Sequence, residues 1–274
     1  MKTIIITVDF SKISDNATLY AMQAAEVIGA RVILFHLHVV SVHASNARLS
    51  PSSLQLSLDQ NKELLEKRAE ELQNQFQIDV SIAWRTGDFY TELSKVIDES
   101  QADLVVMGMA KKSVEQDLLG NTTTAAINKL KIPILAIPEE ARFKGIRKVL
   151  FACDIARGVQ ARVLEQVRKL ALSFEADVAI FHVSDKIKGM SEHDLPPHLV
   201  NAFGDGLDGI NYSYKNVASN AVLYAIEQEV KDMNADLVIM VPYKYGFWGS
   251  LIHKSKTRAL ASGIQKPLLS IPIG

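Results

Sequence analysis

Short apolar runs alternate along this chain with longer segments in which apolar residues recur every three or four positions. The short runs are rich in Val and Ile and carry few charges, which is typical of strands covered on both faces in a parallel sheet. The longer segments have the period of amphipathic helices. Because strand and helix alternate, the pattern predicts parallel sheets with right-handed crossovers.

The first half of the pattern predicts five strands and four helices. Ser14 is expected to cap the first helix, and Gly29 is expected to end it in a left-handed conformation. Gly87 and Asp88 are expected to form the turn and cap before the third helix. The predicted strands are 4–8, 31–39, 79–84, 104–107 and 134–137, and the predicted helices are 14–28, 54–75, one through Leu93, Val96 and Ile97, and 122–130.

The second half repeats the first. The strand that ends at Asp9 recurs as one that ends at Asp154, and the segment ADLVVM at 102–107 recurs as ADLVIM at 235–240. The offset falls from 154 − 9 = 145 to 235 − 102 = 133 residues, so the second copy has lost about a dozen residues between its second and fourth strands. Strands are predicted in this copy at 148–152, 178–183, 210–214, 237–241 and 268–271, with a loop at 184–209 that can hold one short helix.

Length and composition restrict the classes of protein that fit. A chain of 274 residues suits two domains, which we place at 1–141 and 146–274. Thirty basic and 31 acidic residues leave no field that would attract nucleic acid or an anionic membrane. One cysteine, Cys153, excludes an internal disulfide and fits a reducing compartment. The first apolar run is too short to span a membrane, so a cytoplasmic protein is expected.

Four features together resemble the universal stress protein family. They are the Asp at the tip of the first strand, the segment ADLVVMG at 102–108, a loop punctuated by glycines, and the closing segment IPILAIP at 132–138. The resemblance covers nearly the whole chain as a tandem of two family domains. It implies two doubly wound, five-stranded, Rossmann-like α/β domains that pair in a pseudo-twofold manner through their last strands, 134–137 against 268–271.

The resemblance also implies a function. It implies a cytoplasmic stress-response module that regulates or protects and is not an enzyme, with an unknown protein partner and a higher homo-oligomer left open. A slow ATPase or phosphotransferase is the alternative, although no residue is visibly placed to activate water or a nucleophile.

In this family the loop after the fourth strand usually reads G-x2-G-x9-G-S/T and holds the phosphates of ATP. In the first copy Gly108 and Gly120 stand at the first and third glycines, and Asn121 stands at the Ser/Thr. Lys111 replaces the second glycine, and 120 − 108 = 12 makes the loop one residue shorter than the pattern. Lys111 can pair with phosphates or fill the pocket; the other interpretation is a solvated turn inherited from a binding ancestor.

If ATP or AMP binds to the first copy, the resemblance implies its contacts. They are Asp9 at the adenosine, Val39 at the end of the second strand, Met107 and Gly108 along the ribose, and Lys111, Gly120, Asn121 and Thr122 around the phosphates.

The second copy departs further from the pattern. Val241, Lys244 and Lys254 stand at the three glycine positions, and Pro242 lacks a backbone donor, so no nucleotide is expected there. The same loop is rich in aromatic and basic residues, which favours either packing against the first copy or a second subunit, or a nucleotide-free interaction surface. Its members are Tyr243, Tyr245, Phe247, Trp248, Leu251, His253, Lys254, Lys256 and Arg258.

Three other residues are expected to be structural. His36 and His182 occupy equivalent positions in the two copies, which favours buried histidines with satisfied hydrogen bonds. Burial is expected to raise the pKa of the Cys153 thiol. No motif matches a strong zinc or calcium signature, so no metal is expected.

Overall fold

The computed structural model describes residues 2–38, 51–110, 121–155, 158–184, 197–219, 221–242 and 265–273. Strands and helices alternate through both copies, as the apolar pattern predicts. The first copy contains β1 (Thr3–Thr7), α1 (Lys12–Ile28), β2 (Arg31–His38), α2 (Pro51–Phe76), β3 (Val80–Thr86), α3 (Phe89–Ser100), β4 (Leu104–Met109), α4 (Asn121–Lys129) and β5 (Ile134–Pro138). The second contains β6 (Lys148–Ala152), α5 (Ala161–Phe174), β7 (Asp177–Ser184), α6 (Pro197–Gly206), β8 (Tyr212–Ala218), α7 (Val222–Asp232), β9 (Leu237–Met240) and β10 (Leu268–Ser270).

The strands form one sheet in the order β3-β2-β1-β4-β5-β10-β9-β6-β7-β8. All neighbours within each copy are parallel. The copies join where β5 and β10 pair antiparallel, with Leu268 opposite Ala136 and Ser270 opposite Ile134. The doubly wound fold and the pairing through the last strands are therefore confirmed. In each copy the strand order reverses beside the first strand, between β1 and β4 and between β6 and β9.

The start of α1 corrects one prediction. Ser11, and not Ser14, is the N-cap, because its side chain accepts a hydrogen bond from the backbone N–H of Ser14 at 3.2 Å. The Ser14 hydroxyl is buried and accepts instead from the backbone N–H of Asp9 at 3.2 Å. The prediction for the carboxyl end of α1 is confirmed, since Gly29 ends the helix in a left-handed conformation at φ +64°.

The third strand of the second copy is also displaced from its predicted position. It was expected at 210–214, whereas β8 begins at Tyr212 and continues to Ala218. It pairs with β7 over its whole length, from Val178 opposite Tyr212 to Ser184 opposite Ala218. The polar residues in its second half obscure the alternation that marks a strand. In the first copy, Asp88 caps α3 as predicted, by accepting from the backbone N–H of Thr91 at 3.0 Å.

An apolar layer lies on each face of the sheet and extends across both copies. One layer packs under α1, α2, α5 and α6, and Leu65 and Leu72 of α2 are fully buried in it. The other packs under α3, α4 and α7. Because strand residues alternate between the two layers, each position along a strand faces a known set of helices.

Candidate functional site

The candidate nucleotide site lies at the carboxyl ends of β1 and β4, where the strand order of the first copy reverses. Residues 4–6 of β1 pair with 104–106 of β4, which brings Asp9 to the same edge as Met107 and Gly108. Helix α4 begins at Asn121 and is tied to this edge, because the Thr123 hydroxyl donates to the backbone carbonyl of Gly108 at 3.3 Å. Open parallel sheets bind ligands at such a reversal.

Asp9 is exposed at this edge and is held by the first turn of α1. Its Oδ1 accepts from the backbone N–H of Ser11 at 2.9 Å, and its own N–H donates to Ser14. Phe10 between them has φ +61°, so the chain turns sharply from the strand into the helix. Within the described parts of the chain no other hydrogen bond reaches the Asp9 carboxylate, and Oδ2 can accept one from a ligand.

Gly108 is required by the packing of α1 on β4. A Cβ at this position would lie 2.7 Å from Cγ2 of Ile13, which is an overlap, and 3.0 Å from its backbone oxygen, which is a tight contact, so α1 would have to shift to admit a side chain. The adjacent Met107 is buried in the layer under α3, α4 and α7. At these two positions no side chain stands between the backbone and a ligand at this edge, so a ligand can approach the backbone closely.

The amino-terminal end of α4 is fixed by contacts that the sequence analysis missed. The Tyr90 hydroxyl donates to the backbone carbonyl of Thr122 at 3.2 Å, and the Lys129 ammonium lies 4.2 Å from the centre of the Tyr90 ring. Burial raises the pKa of Tyr90, so the hydroxyl keeps its proton. Thr122 itself is exposed, and the first N–H groups of a helix are donors for anions. In the sequence, the only sign of this contact was Tyr90 itself, an aromatic residue two positions after the Asp88 cap.

Three of the predicted site residues lie outside the described residues, namely Val39, Lys111 and Gly120. The loop 111–120 and the aromatic and basic residues of 243–258 lie outside them as well. For Asn121, only the backbone, as the first residue of α4, is described.

The second copy differs from the first at the equivalent edge. Val241 occupies the position of Gly108, and its side chain is buried in the layer under α1, α2, α5 and α6. Pro242 follows it and has no N–H. The first copy thus presents glycine backbone where the second has a core side chain.

His36 is a buried core residue, as predicted. Its Nδ1 donates to the backbone carbonyl of Val8 at 2.7 Å, and the ring lies between Phe10 and Trp84 with both centroid distances 4.8 Å. Burial lowers the pKa of His36, and this outweighs the opposing effects of the Val8 carbonyl and the Asp9 charge. The neutral imidazole is favoured in the folded state.

The equivalent residues of the second copy are also buried, as predicted. His182 is buried, with Nδ1 3.1 Å from the backbone carbonyl of Cys153 and 3.3 Å from the backbone nitrogen of Ile155. Burial, aided by the Asp154 charge, raises the pKa of the Cys153 thiol, so it stays protonated.

The described residues contain no group of three or more His, Cys, Asp or Glu that could hold a metal. None of the helices described is both long and apolar enough to cross a membrane.

Comparisons with known proteins agree with this architecture. The profile described as "Universal stress protein family" matches residues 1–138. Universal stress protein G of Escherichia coli O157:H7 is 29% identical over 145 residues, which cover 50% of this chain and 98% of that protein.

Two solved structures share the whole two-copy fold. A universal stress protein from Archaeoglobus fulgidus DSM 4304 has a TM-score of 0.74 at 18% identity, covering 99% of this chain and 98% of its own. A putative universal stress protein from Pseudomonas aeruginosa UCBPP-PA14 has a TM-score of 0.60 at 12% identity, covering 99% and 93%. At these identities the likeness shows the fold alone.

Proposed function

This chain belongs to the universal stress protein family, and from that premise we propose that it is a stress-response module that binds ATP or AMP through its first copy only. The observation that carries the proposal is the exposed Asp9 carboxylate at the reversal between β1 and β4, beside the glycine backbone of residue 108 and the amino-terminal end of α4. The module regulates or protects by binding and does not depend on turnover.

Each part of the edge has a distinct role in the proposal. The Asp9 carboxylate accepts a hydrogen bond from the adenosine, and its attachment to Ser11 fixes its direction before the ligand arrives. The backbone at Met107 and Gly108 lies along the ribose. The first turn of α4 directs N–H groups and the positive end of the helix dipole toward the phosphates. Val39, Lys111, Gly120 and Asn121 complete the site in this proposal.

The difference between the copies supports restricting the nucleotide to the first. A buried Val241 side chain and the Pro242 ring replace two positions at which the first copy offers backbone. A phosphate at this edge of the second copy would find fewer backbone N–H donors within hydrogen-bonding distance. One nucleotide per chain is the expected stoichiometry.

The decisive experiment is calorimetry on the full chain after removal of bound nucleotide. ATP and AMP are titrated with and without magnesium into the wild type, the Asp9→Arg variant and the Asp154→Arg variant. We expect one site per chain, lost in Asp9→Arg and kept in Asp154→Arg, which changes the equivalent residue of the second copy.

Two results would refute the proposal. Absence of binding at millimolar nucleotide would remove the site altogether. Loss of binding in Asp154→Arg alone would place the nucleotide in the second copy. A parallel assay for released phosphate tests the absence of turnover, and hydrolysis that is lost in Asp9→Arg would make the protein an enzyme.

A further inference from the structure

An open cavity lies over the outward face of α1. Its volume is about 470 Å³, which is within the range of sites that hold small molecules. Three parts of the chain line it, namely the outward face of α1, the carboxyl end of α2 and residues 141–143 after β5. The cavity shares no lining residue with the proposed nucleotide site, so the two sites can be tested separately.

The apolar part of the cavity consists of aromatic rings and one leucine. Tyr20 and Phe76 are buried, and the Tyr20 ring meets Phe143 edge to face with the centroids 5.2 Å apart. Phe143 is also held from α5, where the ring of Phe174 lies 6.2 Å away. Leu19 is 39% exposed and completes the apolar lining. Because neighbouring rings fix one another, this surface is formed before a ligand arrives, and binding costs little further ordering.

Polar contacts fasten the segment after β5 to α1. The Asn16 Nδ2 donates to the backbone carbonyls of Pro138 and Ala141, both at 3.0 Å. Nη1 of Arg142 donates to Asn16 Oδ1 and to two backbone carbonyls of the same segment. All these bonds use Nη1, so Nε and Nη2 of Arg142 have no acceptor among the described residues and can donate to a ligand.

The charges of the cavity favour an anion. Among its described lining residues Lys12 and Arg142 are positive and Asp15 is negative, which leaves one excess positive charge. Lys12 is exposed, and no ion pair or hydrogen bond from the described part of the chain engages its ammonium group. Lys12 lies one helical turn before Asn16, which holds Arg142. Both cations therefore lie toward the amino-terminal end of α1.

The equivalent face of the second copy has a different chemistry. Gly29 ends α1 and Glu175 ends α5, both in a left-handed conformation, so the helices correspond at an offset of 175 − 29 = 146. Leu19 then corresponds to Glu165, which forms an ion pair with Lys169 at 2.7 Å. A leucine faces the cavity in the first copy where the second copy has a solvated ion pair, so this apolar surface belongs to the first copy.

We infer that the cavity binds an amphiphilic organic anion, a molecule in which an apolar ring or acyl chain ends in a carboxylate. The carboxylate accepts hydrogen bonds from Lys12 and Arg142. The apolar body lies against Leu19, Phe76 and Phe143 and removes their surface from water. An acyl chain and an aryl ring share this chemistry. The inference goes beyond the nucleotide proposal and does not depend on it.

The test uses the full chain with ¹³C-labelled leucine methyl groups. Hexanoate and phenylpropionate are the probes for an acyl and an aryl body, and hexanamide and phenylpropionamide, in which a neutral amide replaces the carboxylate, are their matched controls. We expect millimolar probe to shift the methyl resonances of Leu19 and not those of Leu172, which is exposed on α5 outside the cavity. Each carboxylate should bind about 3- to 10-fold more tightly than its amide. The tighter probe identifies the apolar body.

Three variants test where the ligand lies, with affinity measured from the NMR signals of the probe. Leu19→Glu matches the residue type of the second copy at an exposed position, so the fold should persist while binding weakens at least about tenfold. Lys12→Gln should weaken the carboxylates about 3- to 10-fold and leave the amides unchanged. Leu172→Glu makes the same change at a leucine outside the cavity and should bind as the wild type does.

Three results would overturn the inference. The first is that neither carboxylate shifts the Leu19 methyl resonances. The second is that each carboxylate binds no more tightly than its amide, which would remove the role of Lys12 and Arg142. The third is unchanged binding in Leu19→Glu, which would place the probe elsewhere on the protein.

Discussion

The Asp103 carboxylate accepts a hydrogen bond from the backbone N–H of Lys2 at 2.7 Å, although the two residues are 101 positions apart. The same oxygen accepts from the N–H of Thr3 at 3.1 Å. In the second copy, Asp236 accepts from the N–H groups of residues 147 and 148 at 2.9 and 3.0 Å. The aspartate of the repeated ADLV segment therefore fixes the start of the first strand of each copy against its neighbour.

Replacing Asp103 by Ala should destabilise the protein by about 1 kcal/mol, because two backbone donors lose a charged acceptor at a solvent-exposed site. Asp236→Ala should have a similar effect in the second copy. Asp103→Asn keeps one oxygen in place and should lose less. Urea unfolding at neutral pH measures all three, and equal losses in the Ala and Asn variants would argue against the hydrogen bonds as the cause.

Gly108→Ala should destabilise the fold by about 1–3 kcal/mol, because the new Cβ would overlap Ile13 in the first turn of α1. The matched control is Gly204→Ala in α6, where a Cβ has no atom within 4 Å. There alanine should be stabilising by about 0.5–1 kcal/mol, since it favours the helix. Thermal and urea unfolding of both variants provide the comparison, and a neutral Gly108→Ala would show that α1 can shift without penalty.

Stability should fall as the pH falls below neutral, and His36 should account for part of the fall. Burial places the pKa of His36 in the folded protein below the value near 6.5 of the unfolded chain, so the unfolded state binds more protons between the two values. The loss begins as the pH passes below about 6.5 and levels off beneath the folded pKa.

The measurement is urea unfolding of the wild type and of His36→Gln at about pH 7.5 and 5.5, on either side of the unfolded pKa. The glutamine variant should lose less stability between the two conditions, whatever its absolute stability. Equal losses would show that other groups govern the acid sensitivity.

Tyr90→Phe should loosen the start of α4 without unfolding the protein. The variant keeps the ring beneath Lys129 and loses only the hydrogen bond to the Thr122 carbonyl. Amide hydrogen exchange in α4 should quicken by roughly 3- to 10-fold, as expected for about 1 kcal/mol of local stability. Tyr224→Phe, on the exposed face of α7, is the matched control. Unchanged exchange in α4 would show that the hydroxyl does not hold the helix.

The sequence was sufficient to predict the fold because two copies of one pattern constrain each other. The predictions were wrong where the residue pattern fits two local structures equally well. Ser11 and Ser14 are both plausible caps, and only the contact of Ser14 with Asp9 decides between them. Lys215 and Asn216 hid the second half of β8, because polar residues on an edge strand resemble a loop.

The candidate site was predictable only in part, for a different reason. The positions of Asp9 and Gly108 follow from the motif and the strand order. The contact between Tyr90 and Thr122 joins two helices through residues that are 32 positions apart, and no local pattern encodes it. Likewise, the apolar layers could be predicted from periodicity, whereas the burial of both amide atoms of Asn216 could be seen only once the neighbours of β8 were known.

The two halves that β5 and β10 join by antiparallel pairing belong to one polypeptide. Two separate subunits joined in this way would dissociate on dilution, but here the local concentration of each half around the other is set by the chain and not by the cell. The ratio of the two halves is likewise fixed at one to one. Mutations can therefore accumulate in one half without being copied into the other, so Leu19 and Glu165 can stand at equivalent positions in a single molecule.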